Sequence, residues 1–557
     1  MKKILALIIS AICLFSTSCK PESQWSEETP DYGEKSVLYV MSYDGGFGYK
    51  WLEPAAKRFE EKYKGYHFEE GKTGVTIEIT PMLSGTATLQ DTLLDAVDEV
   101  FFTEKFIMKR YLDANSILPI TDIVTEKLTE YGETRSIEDK MEQRARDFYG
   151  YGGTYYAVPH YEAFNGMAYN VEIFDKKLAW FAKDGGFVTS LTDERSAGPD
   201  GDFSTTYDNG LPATYDEFFQ LCARLESTAI DKSKVSAINW SGQSSYYVTR
   251  LLASLWADFE GVSNMEVYLD FEGELSSIVE SVSANGTINY AKKTNINLTN
   301  GYLAQTMEGK YHALSFLERI IKGGYYTEGA FDELQSHTLA QANYIASGYD
   351  DGEDSAIHID GNWWFNEAKK SGSFDEMNEY YGVNADTMKF AWMPLPKANA
   401  SKVGKSTLMD INWSAGFIRA NIDPAKIELA KKFLQFCNTD ESLREYTVTT
   451  GTTKGLDYSL TDADLAKMSY YGKSLYQHVE NSNVIKAISD NLIFVNNQEG
   501  FFFGDDVFQT KIGNAPYNVP TKAMKNNGIT AIDYFNGVSN FYTKTSWISS
   551  YSSYFNA

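Results

Sequence analysis

Residues 36–104 read SVLYVMSYDGGFGYKWLEPAAKRFEEKYKGYHFEEGKTGVTIEITPMLSGTATLQDTLLDAVDEVFFTE, and this stretch decides the fold class. Ser36–Tyr43 is a β-rich apolar run that stops at Asp44-Gly45-Gly46. Trp51, Leu52, Ala55, Phe59 and Tyr63 then recur at helical spacing, with Pro54 in the first turn and Gly65 beyond the end. Val75, Ile77 and Ile79 alternate with polar residues as a half-buried strand. Leu89, Leu93 and Val97 predict a second helix before the short strand Val100–Phe102. Strands alternating with helices imply an α/β fold on a parallel sheet, and ligands bind such sheets at the carboxyl ends of the strands. Here those ends carry Tyr43, Asp44, Ser84, Gly85, Thr103 and Glu104.

Further along, short strands are expected at Ala157-Val158 and Gly166–Tyr169, flanking Pro159-His160-Tyr161-Glu162. Thr214 and Glu217 form a capping box on a helix striped by Phe218, Leu221, Cys222 and Leu225. Ala356–Ile359 is a strand running into Asp360-Gly361-Asn362-Trp363-Trp364, and Phe390–Pro394 is another. Ile411–Phe417 precedes a helix opened by Asp423-Pro424 and carrying Ile427, Ala430, Leu434 and Cys437. Residues 183–210 are rich in Gly and Asp and read as an insertion loop.

The first residues read as an export signal. Lys2 and Lys3 precede an apolar run from Ile4 to Phe15, then Ser16, Thr17 and Ser18, then Cys19. The run is shorter than the ~20 residues that span a bilayer. A Cys directly after the small residues resembles the lipobox of bacterial lipoproteins, in which that Cys is acylated. Ser16 departs from the usual Leu of that motif. The other reading is simple cleavage after Ser18. Residues 1–18 are thus a signal peptide, and 19–35, polar with two prolines, a lipid anchor and flexible tether. Of four cysteines, Cys13 leaves with the signal and Cys19 is the anchor. Cys222 and Cys437 fall on apolar stripes, as small core residues.

The formal net charge of −26 argues against nucleic acid and against adhesion to anionic lipid, so membrane contact is expected through the anchor alone. Aromatic residues make up 15% of the chain, which favours a site that stacks rings on its ligand.

Six segments, in order, resemble the extracellular solute-binding proteins of ABC importers, in the sugar-binding family 1. They are WLEPAAKRFEEKY (51–63), VDEVFFTEKFIMKRYLDANSILPITDIV (97–124), GGTYYAVPHYEAFNGMAYNVEIF (152–174), GLPATYDEFFQLCARL (210–225), AIHIDGNWW (356–364) and WSAGFIRANIDPAKIELAKKFLQF (413–436). The resemblance covers most of residues 36–450 and fades after about 460. It implies a two-lobed periplasmic-binding-protein-like (type II) fold, with a hinge and a ligand cleft between lobes. Lobe one would be 36–160 with 414–475, and lobe two 163–410 with 476–557. It implies a monomer that captures a carbohydrate, with an oligosaccharide favoured by the aromatic excess, and hands it to a permease in the same membrane. No cofactor is required by that role.

A sugar presents apolar C–H faces and a ring of hydroxyls, matched by flat aromatics and by carboxylates. Tyr43 and the tryptophans Trp240, Trp363, Trp364 and Trp413 are candidate platforms, each with core packing as the alternative. Of the adjacent pair, one is expected to face ligand and the other the core. Asp44, Glu104, Glu162 and Asp360 are the candidate carboxylates, with capping or solvated roles as the alternative. Asp193, Asp200, Asp202 and Asp208, among turn glycines, could hold a structural calcium or form a solvated loop.

Two other functions compete. A secreted glycan hydrolase needs paired carboxylates, one with a raised pKa. A surface adhesin needs no cleft. No nucleophile elbow, P-loop or zinc motif is present, and the six histidines show no metal-ligand spacing. A binding protein rather than an enzyme is expected.

Overall fold

A computed structural model describes residues 33–82, 89, 93–411, 413–502 and 507–555, without the side chains of 498–502. The signal, Cys19 and most of the tether lie outside the described residues, as do Ser84 and Gly85.

Eleven strands frame the cleft: β1 (Ser36–Tyr43), β2 (Val75–Met82), β3 (Val100–Thr103), β4 (Ala157–Pro159), β5 (Asn165–Asn170), β6 (Val235–Asn239), β7 (Asp354–Gly361), β8 (Phe390–Met393), β9 (Thr407–Asp410), β10 (Ala415–Ile418) and β11 (Asn483–Lys486). One sheet runs β2-β1-β3-β10-β4, the other β8-β5-β7-β6. β1 pairs in parallel with β2 and β3, as the opening stretch predicts. β10 is antiparallel to both β3 and β4, because it returns to this sheet from the other lobe. The result is the two-lobed α/β fold expected from the sequence.

Each sheet is covered by amphipathic helices. Leu52–Lys62 buries Leu52, Ala55, Ala56 and Phe59. Phe59 meets the rings of Phe433 and Phe436, at 5.1 and 5.4 Å, on the helix Ile427–Phe436. Burying such a side chain contributes roughly 1.5–3 kcal/mol. Thr214 caps its helix as predicted, but the Glu217 carboxylate accepts from Ala213 N (2.6 Å). Cys222 and Cys437 are buried free thiols. The second helix expected at Leu89–Val97 lies partly outside the described residues; within them Leu89 is helical, Leu93–Asp95 is a 3₁₀ turn and Val97 is exposed. Among the described residues no helix is long and apolar enough to cross a membrane.

Three crossing segments join the lobes and are laced to one another. Tyr161 N donates to Ser414 Oγ and Ser414 Oγ to Tyr161 O, both at 2.8 Å. Glu162 N donates to Thr453 O (2.9 Å), and Ala163 N to Asp410 Oδ1 (2.9 Å). The helix Tyr470–Glu480 buries Tyr471, Leu475 and Val479 in the core that holds Phe390 and Trp392 of β8. The chain has therefore re-entered lobe two before residue 470, ahead of the boundary expected at 475. Near the C-terminus Trp547 packs on Phe271 (5.2 Å) and donates to Leu298 O (2.7 Å).

Candidate functional site

A cavity of about 300 Å³ lies between the lobes. Lobe one supplies Tyr43 at the end of β1, Phe47 from the following loop, and Glu104 and Lys105 after β3. The first crossing supplies Tyr161. Lobe two supplies Tyr246, Tyr247 and Arg250 from the first turns of the helix Tyr246–Asp270, His337, and Trp363 and Glu367.

Glycines make the aromatic wall possible. A Cβ on Gly361 would lie 2.3 Å from the Trp363 ring, and one on Gly45 would lie 2.2 Å from the Tyr43 hydroxyl. Both rings therefore fold over bare backbone. Trp363 is half-buried, 6.5 Å from the Phe47 ring and 6.1 Å from Tyr247. Phe47 packs edge-on against Tyr161 at 5.0 Å. The Arg250 guanidinium lies 4.8 Å over the Tyr246 ring.

Polar contacts tie the lobes together beside this wall. Lys370 meets Asp44 Oδ2 at 2.6 Å and also donates to the Asp44 carbonyl. Gly46 N donates to Glu367 Oε1 (3.2 Å), while Gln341 Nε2 donates to Glu367 Oε2 and to Asp360 Oδ2, both at 3.0 Å. Burial, reinforced by the Asp360 carboxylate, pushes Glu367 up to about 8 against those two donors. Burial and the Glu104 charge push the Tyr43 phenol up, and burial does the same to Tyr247, so both stay neutral donors.

The raised Glu367 sets an expected pH dependence. An unfolded Glu ionises near pH ~4.3, so between there and about 8 the unfolded state holds fewer protons, and stability falls as pH rises. Glu367→Gln removes that slope. The melting temperature of the variant minus that of the wild type should grow by a few degrees from pH ~5 to ~8, then level off. A difference independent of pH would show a carboxylate that ionises freely.

Tyr43, Glu104 and Trp363 line the cavity; the other sequence candidates are placed elsewhere. Trp364 has no exposed surface and packs among Tyr344, Phe390 and Tyr471. Its neighbour in sequence points the opposite way because helix positions one apart do not share a face. Trp240 is buried against Tyr326 and Phe331, at 5.6 and 5.4 Å. Trp413 is buried and donates to Ala487 O (3.0 Å). These three are corrected to core residues. Asp44 is spent on Lys370, and Asp360 is buried beneath Gln341 and His358 (3.2 Å). Glu162 pairs with Lys486 (2.6 Å) and accepts from Thr453 Oγ1, so it belongs to the crossings rather than to the ligand wall.

The carboxylates of the acidic loop have local partners. Asp193 accepts from Thr189 N and Ser190 N, Asp200 from Asp202 N, and Asp202 from Ser204 N, so these carboxylates close local turns. Asp208 is buried, and its carboxyl rises to about 7 through burial and the nearby Asp200 charge. Among the described residues no group of three or more His, Cys, Asp or Glu could hold a metal ion.

Sequence reading missed Tyr246, Tyr247 and Arg250, although Leu251, Leu252, Leu255, Trp256 and Phe259 behind them carry helical spacing. It also missed Glu367, which stands four residues after Trp363 on the same helical face.

Two α/β lobes, three laced crossings and a ring-lined cavity between the lobes define a protein built to enclose a small solute. The chain belongs to the bacterial extracellular solute-binding protein family, whose model matches residues 55–467. Membership places it outside the cytoplasm. No curated protein matches it by sequence. Solved structures share the fold. The chitin oligosaccharide binding protein has a TM-score of 0.52 at 14% identity, over 93% of this chain and 100% of its own. Maltose-bound T. maritima MalE3 has 0.52 at 12%, over 91% and 99%. RafE in complex with raffinose has 0.50 at 12%, over 94% and 99%.

Proposed function

We propose that the protein captures a carbohydrate, an oligosaccharide, in the inter-lobe cavity and delivers it unchanged to an ABC transporter permease. The observation that carries this reading is the Trp363 ring in a cavity that also holds Tyr43, Phe47 and Tyr247 beside Glu104 and Arg250. Rings cover the C–H faces of a sugar, and a hydrogen bond to a charged group contributes about 1.5–3 kcal/mol. The similar structures carry chitin oligosaccharide, maltose and raffinose in their names, which agrees with it. Opening the cleft requires parting Lys370 from Asp44 and Gly46 from Glu367.

Glu104 and Glu367 share the cavity, as the carboxylates of a hydrolase would. Both oxygens of Glu367, however, are taken by Gly46 N and Gln341 Nε2, which suits a brace between lobes better than an acid catalyst. The test is a thermal melt of residues 20–557 against oligosaccharides, polyols and peptides. At least one oligosaccharide should raise the melting temperature and return intact on chromatography. Cleavage products would overturn the binding reading, and silence across the panel would favour an adhesin.

The anchor at Cys19 keeps the capture protein beside its membrane partner at high effective concentration. Two acyl chains suffice for stable anchoring. The full-length protein should partition into the detergent phase of a Triton X-114 extract, and Cys19→Ser should move it to the aqueous phase. Equal partitioning of the two would rule the anchor out.

A further inference from the structure

A second cavity, of about 710 Å³, lies in the C-terminal layer. Tyr268 and Gln305 form its floor, and the other lining residues fall between 507 and 551. Those walls begin after residue 467, where the family match stops, and they lie apart from the inter-lobe cavity.

Its chemistry is distinctive. Tyr542, Trp547 and Tyr551 supply rings; Asn514, Asn540 and Ser550 supply exposed amides and a hydroxyl. Lys511 is the only charged lining residue, and no carboxylate lines the cavity among the described residues, in a chain of net charge −26. A cationic ligand or a divalent metal would find no counter-charge there. Amides and hydroxyls both donate and accept, which matches neutral hydroxyl groups, and rings match C–H faces.

The floor is rigid. The buried Lys310 ammonium donates to Gln305 Oε1 (2.6 Å) and Val507 O (3.0 Å), and lies 4.4 Å from the Trp256 ring. Gln305 Nε2 donates in turn to the Tyr268 hydroxyl (3.2 Å). Thr543 and Ser546 cap the helix Lys544–Tyr551, which carries Trp547 and Tyr551 4.6 Å apart. A wall held this way keeps its shape before ligand arrives, which lowers the cost of binding.

We propose that this cavity is a second carbohydrate-binding site, which holds an uncharged stretch of a glycan chain while the inter-lobe cleft is free to take another. The test uses the chain carrying Trp363→Ala, which weakens the cleft so that a second site is visible beside it, titrated calorimetrically with maltohexaose, xylohexaose and chitohexaose. At least one hexaose should still bind. Adding Ser550→Trp, an exposed position at the wall, or Tyr542→Ala, should weaken that residual binding by at least about tenfold with the melting temperature unchanged. If no hexaose binds the Trp363→Ala chain, or if neither second substitution weakens it, the proposal is wrong.

Discussion

Lys486→Met should destabilise the protein by about 3–5 kcal/mol, the range for removing one partner of a buried ion pair. Lys486 is buried, 2.6 Å from Glu162 Oε1 and 3.9 Å from Asp410 Oδ2. Burial alone would push its ammonium down, but the carboxylates of Glu162, Asp410 and Glu142 outweigh that and hold it above the ordinary lysine value. With the ammonium gone, Glu162 and Asp410 remain buried without a cation. The damage falls where the lobes join, because Glu162 N is held by Thr453 O and Ala163 N by Asp410 Oδ1. Adding Glu162→Gln should recover a large part of the loss, since it removes one stranded charge. Urea and thermal midpoints of the three chains measure this. A loss below about 1 kcal/mol for Lys486→Met would mean that water reaches the pair.

Trp363→Ala should weaken capture of the sugar found in the thermal screen by at least about 2 kcal/mol, roughly thirtyfold in Kd, the scale of a central aromatic anchor. The ring is half-buried in the cavity, so truncation removes a ligand face more than a core contact. Trp364→Ala makes the opposite case. That ring is wholly buried among Tyr344, Phe390 and Tyr471, and its loss should lower stability by about 3–5 kcal/mol. Titration calorimetry and melting on the two variants separate the roles. Equal losses of affinity at unchanged stability would remove the distinction between the two tryptophans.

The architecture was legible in local patterns. The alternating apolar residues of 75–79 and the helical spacing of 51–63 predict a strand and a helix that the structure shows at Val75–Met82 and Leu52–Lys62. The site was only partly legible. Tyr43, Glu104 and Trp363 were reached because strand ends and the turn after β7 point into an α/β cleft. Trp240 and Trp413 also sit near strand ends, yet their indoles turn inward. Spacing reports which residues share a face, not which face meets solvent.

By itself, the sequence determined the order of strands and helices, the acidic charge and the placement of aromatics beside strand ends, since each follows from residue type at short range. Tertiary structure decided which carboxylates reach the cavity. Asp44 is taken by Lys370 across 326 positions and Glu162 by Lys486 across 324, leaving Glu104 and Glu367 on the cavity. A charge folded out of water needs a partner, and which cation reaches it depends on how distant segments meet, a matter that no local pattern encodes.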